Sequence, residues 1–463
     1  MSRLLATCLV LCVYAQAGLT AGVTLPDVTR VELDSGTVLL LHEKRDVPLV
    51  GAKVVVRGGA VTDPEGRAGL SSLFAAMLER GAGERDAAGF AEAIAAVGGS
   101  LSTGAELESI SITAEFLSRD AGLMVELLTD MLQAPTLSAT EVNKLRDRRI
   151  NQIRAVKDSG LRQLAPIYGS AFLFDEHPYA VAVDGSEASL AKIRQRDLLS
   201  YYRDHVGGDR LVISVVGDID AAAMIDSLST AFGDWRAAEA ALPAIEPAAP
   251  MEGRRVLLVD TGDAAQSYFW IGNVGVAVDF AQRAELDIVN TLFGGRFTSL
   301  LMNEMRTKAG LTYGARSILM RPSLPGSVAI SSFTKTETTI EAIDLALALL
   351  AQLRETGFDD DAIQSGKNYI LGQFPPRLET AAQLAGQFAD LETYGLNASF
   401  IHEDGDAITA ADPEAVRAII GEVYPDPDNL LFVVHGNAEL IREHIAQYGP
   451  ITEVSITEPL FQT

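Results

Sequence analysis

Beyond residue 30 the apolar positions of this chain recur with two periods. Val31 and Leu33 lead into the turn signal Asp34-Ser35-Gly36 and then the apolar run Val38–Leu41, which predicts a hairpin. A strand follows over Ala52–Val56. Gly58-Gly59 and the turn-rich Asp63-Pro64-Glu65-Gly66 come next. Leu70, Leu73, Phe74, Met77 and Leu78 repeat at helical spacing, so a helix starts near Ala68 and stops around Gly81. The pattern then predicts a helix over Ala87–Val97, stopped by Gly98-Gly99. Strands Ser100–Ala105 and Ser109–Phe116 and helices Ala121–Gln133 and Ala139–Val156 follow, and a later strand, Ile213–Gly217, ends in a turn.

After a polar, proline-marked stretch at 236–253, the order starts over. Strands are expected near Val256–Val259 and Tyr268–Asn273, then a helix around Leu286, a strand over Gly326–Ser332 and a long helix over Thr338–Arg354. Arg210-Leu-Val-Ile-Ser-Val-Val-Gly-Asp-Ile-Asp in the first half is echoed by Asn429-Leu-Leu-Phe-Val-Val-His-Gly-Asn-Ala-Glu in the second. With the similar order of flanking helices, this echo implies an internal duplication.

One segment concentrates candidate chemistry: Phe293-Gly294-Gly295-Arg296-Phe297-Thr298-Ser299, running on to Arg306-Thr307-Lys308-Ala309-Gly310-Leu311-Thr312-Tyr313. The glycine pair is expected to break the Leu286 helix by taking positive φ. Phe297 and Met302 bracket Thr298 and Ser299 as a staple brackets a cap, so a short helix should start there. Arg306 falls in its last turn, and Gly310 stops it. Leu311, Tyr313, Ala315, Ser317 and Leu319 alternate as a strand does. Arg306 and Tyr313 can then point into one space, or simply lie on a surface.

Composition narrows the function. The 463 residues suffice for two or more domains, and 48% hydrophobic content with a mean hydropathy of +0.17 describes a globular chain. A formal charge of −25 argues against nucleic acid and anionic lipid as partners. Arg3, the apolar Leu4–Val13 and the small residues Ala15-Gln16-Ala17, with Ala21 a second possible cut, read as an export leader over residues 1–21. Both cysteines, Cys8 and Cys12, lie in that leader, so the mature chain should have no disulfide. No later stretch is long and apolar enough to span a membrane. The expected location is outside the cytoplasm, the periplasm in a Gram-negative bacterium. His42, His177, His205, His402, His435 and His444 show no metal-ligand spacing. Ser189-Leu190-Ala191-Lys192 and Gln364-Ser365-Gly366-Lys367 are isolated fragments of acyl-enzyme and phosphate-loop motifs and carry neither chemistry.

The run GGRFTS…NEMRTKAGLTYGA resembles a C-terminal-domain motif of the pitrilysin/insulinase (M16) zinc peptidases, where such an Arg and Tyr hold the substrate's backbone carbonyl beside the metal. Arg57-Gly-Gly-Ala-Val-Thr-Asp-Pro-Glu-Gly-Arg-Ala-Gly-Leu resembles the approach to the family's metal helix. Phe174-Asp-Glu-His-Pro-Tyr-Ala and the Val-Val-Gly-Asp strand resemble later landmarks. Catalytic members carry H-x-x-E-H on that helix, two histidines one turn apart for zinc and a glutamate for its water, with a further glutamate from a later helix. The same register here reads Ser72-Leu73-Phe74-Ala75-Ala76, and the later glutamate's place falls at Gln152. Alanine has no lone pair to offer, and a hydroxyl or amide is a poor zinc ligand.

The resemblance implies an α+β fold of two homologous M16 (LuxS/MPP-like) domains, residues 22–235 and 254–463, joined by a linker at 236–253. Each would be a sheet packed by helices on one side, the pair forming half of a clamshell. It also implies a non-catalytic subunit of a heterodimeric exported zinc endopeptidase, with no metal of its own and zinc in an H-x-x-E-H-bearing partner. Arg306, Tyr313 and the Gly294-Gly295 pair would meet the peptide substrate. Ser100–Ala105 resembles the family's substrate-pairing edge strand. A structural scaffold without peptide turnover is the alternative from another class.

Overall fold

The computed structural model describes residues 25–397 and 399–461. The expected leader 1–21, with Cys8 and Cys12, and the side chain of His402 lie outside the described part. Twelve strands build two six-stranded sheets. β1 (Thr29–Glu32), β2 (Val38–Glu43), β3 (Leu49–Arg57), β4 (Ser100–Ala105), β5 (Ser109–Leu117) and β6 (Leu211–Gly217) form the first, in the order β1-β2-β6-β3-β5-β4. β7 (Arg254–Asp260), β8 (Gln266–Val274), β9 (Ala315–Met320), β10 (Ser327–Lys335), β11 (Leu430–Gly436) and β12 (Ile451–Ser455) form the second. Written from the other edge, its order is β12-β7-β11-β8-β10-β9. Position by position the two orders coincide, with β6 and β11, the two echoed segments, each inserted parallel to one neighbour and antiparallel to the other. Only the outer edge differs. β1 runs antiparallel to β2, whereas β12 runs parallel to β7.

β6 and β11 are buried at every residue. A strand covered on both faces reads as a continuous apolar run, which is why the two echoes contain almost no polar side chain. One face of each sheet carries helices of its own half. The other face is covered from the opposite half. Helix Ala381–Thr393 lays Leu384, Ala385, Phe388, Ala389 and Leu391 on Val38, Leu40, Val55, Val212 and Val216 of the first sheet. Its backbone comes so close that a Cβ on Gly51 would lie 2.6 Å from the Ala382 nitrogen. Reciprocally, helix Leu161–Phe174 packs on β8 and β11, where a Cβ on Gly169 would meet the Trp270 indole at 2.8 Å. Helix partners more than a hundred residues away leave no periodic trace beside the strand they cover.

Residues 236–253 form no helix or strand, yet they are bonded along their length. The Arg236 carbonyl accepts from Gly208 N–H at 2.8 Å, the Ala240 carbonyl from Arg210 at 2.6 Å, and the Glu246 carbonyl lies 2.8 Å from His177 Nε2. At the far end Met251 N–H donates to the Asn273 side chain at 2.9 Å. The halves are also latched directly. Glu108 accepts from the Tyr179 hydroxyl at 2.5 Å and from Ser323 N–H at 2.9 Å. Pro459 and Glu458 carbonyls bind Ala188 N–H and the buried Lys157 ammonium.

Candidate functional site

The helix expected to correspond to the metal helix spans Leu70–Met77 and is nearly all buried. Its N-terminus is capped from upstream: Asp63 accepts from Gly69 and Ser71 N–H at 2.8 Å and from Leu70 N–H at 3.1 Å. Burial pushes the Asp63 carboxyl up to about 7, while those N–H groups and the Ser71 hydroxyl pull it down. Ala75 is fully buried among apolar side chains. Ser72 donates to Asp184 Oδ1 at 2.6 Å, and the same oxygen accepts from Arg149 at 2.6 Å.

Gln152 is exposed, and the residue that reaches toward Ser72 from helix Ala139–Ser159 is Arg149, one turn earlier. Neither Arg149 nor Asp184 was legible as part of this cluster, although Arg149 shares a helix face with Gln152 by its spacing. These groups do not fit zinc. The one carboxylate beside Ser72 is already engaged by a guanidinium, which repels a cation, and Ala75 and Ala76 supply no donor atom. Among the described residues no cluster of three or more His, Cys, Asp or Glu side chains is placed to hold a metal ion.

The segment carrying Arg306 and Tyr313 is built on the second half. Helix Arg283–Asn290 runs on into a widened turn, Thr291–Gly295, and the chain becomes extended at Arg296. The helix ends at the glycine pair as expected, but neither Gly294 nor Gly295 takes positive φ, which corrects the expected means of the break. A Cβ on Gly294 would lie 2.0 Å from Ser317 N, so this glycine lets the turn press directly against β9. Gly295 is exposed, and its nearest obstacle is the Asn290 carbonyl at 3.1 Å. Ser299 caps the next helical turn, Met302–Lys308, accepting from Met302 N–H at 3.4 Å through its hydroxyl. That turn is again widened, Ala309 N–H reaching back to the Glu304 carbonyl at 2.9 Å, and Gly310 ends it at φ +67°. Widened turns of this kind cluster at functional sites.

Tyr313 precedes the strand instead of opening it, since β9 begins at Ala315. The expected alternation from Leu311 fails because side-chain bonds hold 311–314 as a turn. Gly314 N–H donates to the Thr312 hydroxyl at 3.1 Å, Ser332 donates to the Gly314 carbonyl at 3.0 Å, and Thr334 donates to the Leu311 carbonyl at 2.8 Å. Tyr313 is displayed from this frame at 81% exposure. The Arg306 guanidinium sits over the Phe297 ring, 4.7 Å from its centroid, and Phe297 is itself 70% exposed. One unit, Met302–Ala315, carries both Arg306 and Tyr313, and Ala315 N–H closes it against Met302 Sδ at 3.3 Å.

Among the described residues the edge strand β4 pairs only with β5. Its outward Thr103 N–H and hydroxyl both donate to Glu79 Oε1 at 2.7 Å, so the middle of that free edge is already engaged. The histidines are fixed elsewhere. His42 Nδ1 lies 2.8 Å from the Asp27 carbonyl, and His177 Nδ1 accepts from Tyr179 N–H at 3.0 Å. His435 is fully buried on β11 against Tyr168, and burial holds its pKa down at about 3.

Two family descriptions match the chain: "Insulinase (Peptidase family M16)" over residues 38–173 and "Peptidase M16 inactive domain" over residues 192–370. The chain is 25% identical over 368 residues to the "Non-peptidase homolog YmxG" of Helicobacter pylori, covering 78% of this chain and 84% of that one. Its fold is similar to the M16 inactive domain from Pseudomonas fluorescens, with a TM-score of 0.82 at 22% identity over 89% of this chain and 98% of that one. It is also similar to the first half of the periplasmic protease PqqL from Escherichia coli, with a TM-score of 0.70 at 14% identity over 91% and 95% of the two chains.

Proposed function

We propose that this chain, which belongs to the insulinase (M16) peptidase family, has replaced that family's zinc-binding side chains and is the substrate-binding, non-catalytic subunit of a heterodimeric zinc endopeptidase. The observation that carries this reading is the Met302–Ala315 unit. It keeps a guanidinium and a phenol open to solvent while the Leu70–Met77 helix has been rebuilt around a serine–aspartate–arginine cluster. In this reading Arg306 and Tyr313 donate hydrogen bonds to the carbonyl oxygen of a peptide lying in the partner's active site. Such donors matter most as negative charge develops on that oxygen. The partner is an M16 chain bearing H-x-x-E-H, and it supplies the zinc and the attacking water. Peptides or unfolded polypeptides are the substrates. Gly294 serves packing in this scheme, and of the glycine pair only Gly295 faces the open side.

Export to the periplasm is part of the proposal. It is supported by the leader-like residues 1–21 and by the likeness to half of a protease described as periplasmic. Among the described residues no helix is long and apolar enough to cross a membrane.

The test mixes this chain with an H-x-x-E-H-bearing M16 chain from the same organism and follows cleavage of a fluorescent peptide. Arg306→Ala should lower kcat/KM by roughly a hundred-fold, and Tyr313→Phe by a smaller factor, with assembly of the pair unchanged. Unchanged turnover in both variants would end the carbonyl-binding role and favour a purely structural subunit. Metal analysis of this chain alone should show no stoichiometric zinc.

A further inference from the structure

Arg306 stands apart from the other cations around it. Lys308 is paired with Glu304 at 2.7 Å, and Arg296 donates to the Ser365 hydroxyl at 3.0 Å. Arg306 makes no hydrogen bond or ion pair with any described residue, in a chain with 62 acidic and 37 basic side chains. Its one directed contact is the Phe297 ring. Phe297 in turn is a large apolar side chain left 70% exposed, and solvent gives it no reason to stay there. Its backbone is anchored on both sides, by Arg296 bound to the Ser365-bearing helix and by Ser299 capping the next turn. The Thr298 carbonyl between them accepts from Asn303 at 3.2 Å. A carboxylate in place of the ring would satisfy the guanidinium and occupy its donors. A ring attracts the cation through its face and leaves the N–H edge free.

We propose that Phe297 is the positioning residue of this site: it holds the Arg306 guanidinium in place with its donors uncommitted, ready for the carbonyl oxygen of a bound peptide. The peptide role rests on the reading given above, whereas the holding role is a property of this chain by itself.

Two measurements separate them. In the isolated chain with arginine-selective ¹⁵N labelling, the Arg306 Nε–H resonance should carry a ring-current shift. Phe297→Leu abolishes that shift and Phe297→Trp keeps it. A resonance indifferent to Phe297→Leu overturns the proposal whatever the partner does. In the assembled pair, Phe297→Leu should lower kcat/KM by roughly 3- to 30-fold, the range spanned by exposed to desolvated cation–π pairs. Phe297→Trp should restore it, and the cost should vanish in an Arg306→Ala background. A Phe297→Leu cost that persists without Arg306 would show that the ring acts on its own and would overturn the positioning role. If Arg306→Ala leaves turnover untouched while the resonance responds as expected, the holding role stands and the carbonyl-binding function fails.

Discussion

Acid should loosen the seam between the two halves through His435. This imidazole lies on β11 facing helix Leu161–Phe174 of the first half, is 0% exposed, and meets Tyr168 edge-on at 5.0 Å. Neither ring nitrogen has a hydrogen-bond partner among the described residues, so a proton there would bring an uncompensated charge into the core. Burial lowers its pKa from 6.5 to about 3. The folded state therefore binds fewer protons than the unfolded chain between those values. The stability due to the neutral imidazole is complete above pH 6.5 and is lost as pH falls toward 3.

At 1.36 kcal/mol per unit, descent to pH 5 alone costs about 2 kcal/mol. Tyr168, whose pKa burial and the nearby Glu187 and Glu458 raise further, stays neutral throughout and adds nothing in this range. The assay is urea unfolding at pH 7.5 and pH 5.0 for the native chain and His435→Phe. Other carboxylates titrate in both proteins and cancel in the comparison. The native chain should lose about 2 kcal/mol more than the variant over this interval. Equal pH dependence in the two proteins would refute the argument.

Two further substitutions test the packing. Phe388→Ala, on the helix that crosses to the first sheet, should cost about 3–5 kcal/mol in urea unfolding, and hydrogen exchange of β6 should accelerate. Exchange confined to the second half would mean that the crossing helix is not coupled to that sheet. Gly294→Ala should lower the melting temperature through about 1–3 kcal/mol of overpacking against Ser317, while Gly295→Ala should stay within about 0.5 kcal/mol. Equal effects at the two glycines would contradict the packing of the turn on β9.

The sequence by itself determined most of the strands and, among the helices, Leu70–Met77, Ala87–Ala96, Ala121–Gln133, Ala139–Ser159, Arg283–Asn290 and Thr339–Thr356, because period-two and period-3.6 apolar spacing records which face of each element is buried. It determined the duplication through the two valine-rich runs that became β6 and β11. The expectation of a helix without zinc ligands also came from the sequence, since alanine at positions 75 and 76 has no donor atom to offer. Tertiary structure decided what spacing cannot record. It placed Arg149, not Gln152, beside Ser72, because which residue of a helix face reaches a neighbour depends on the crossing of two helices distant in the chain. It pressed Gly294 against β9 in place of the positive φ expected of it, and it moved Tyr313 off the strand onto a turn held by Ser332 and Thr334. Above all it exchanged helices Leu161–Phe174 and Ala381–Thr393 between the halves. A covering helix is bound to its sheet by long-range apolar contact, and local pattern carries only the demand for a cover, not the identity of what supplies it.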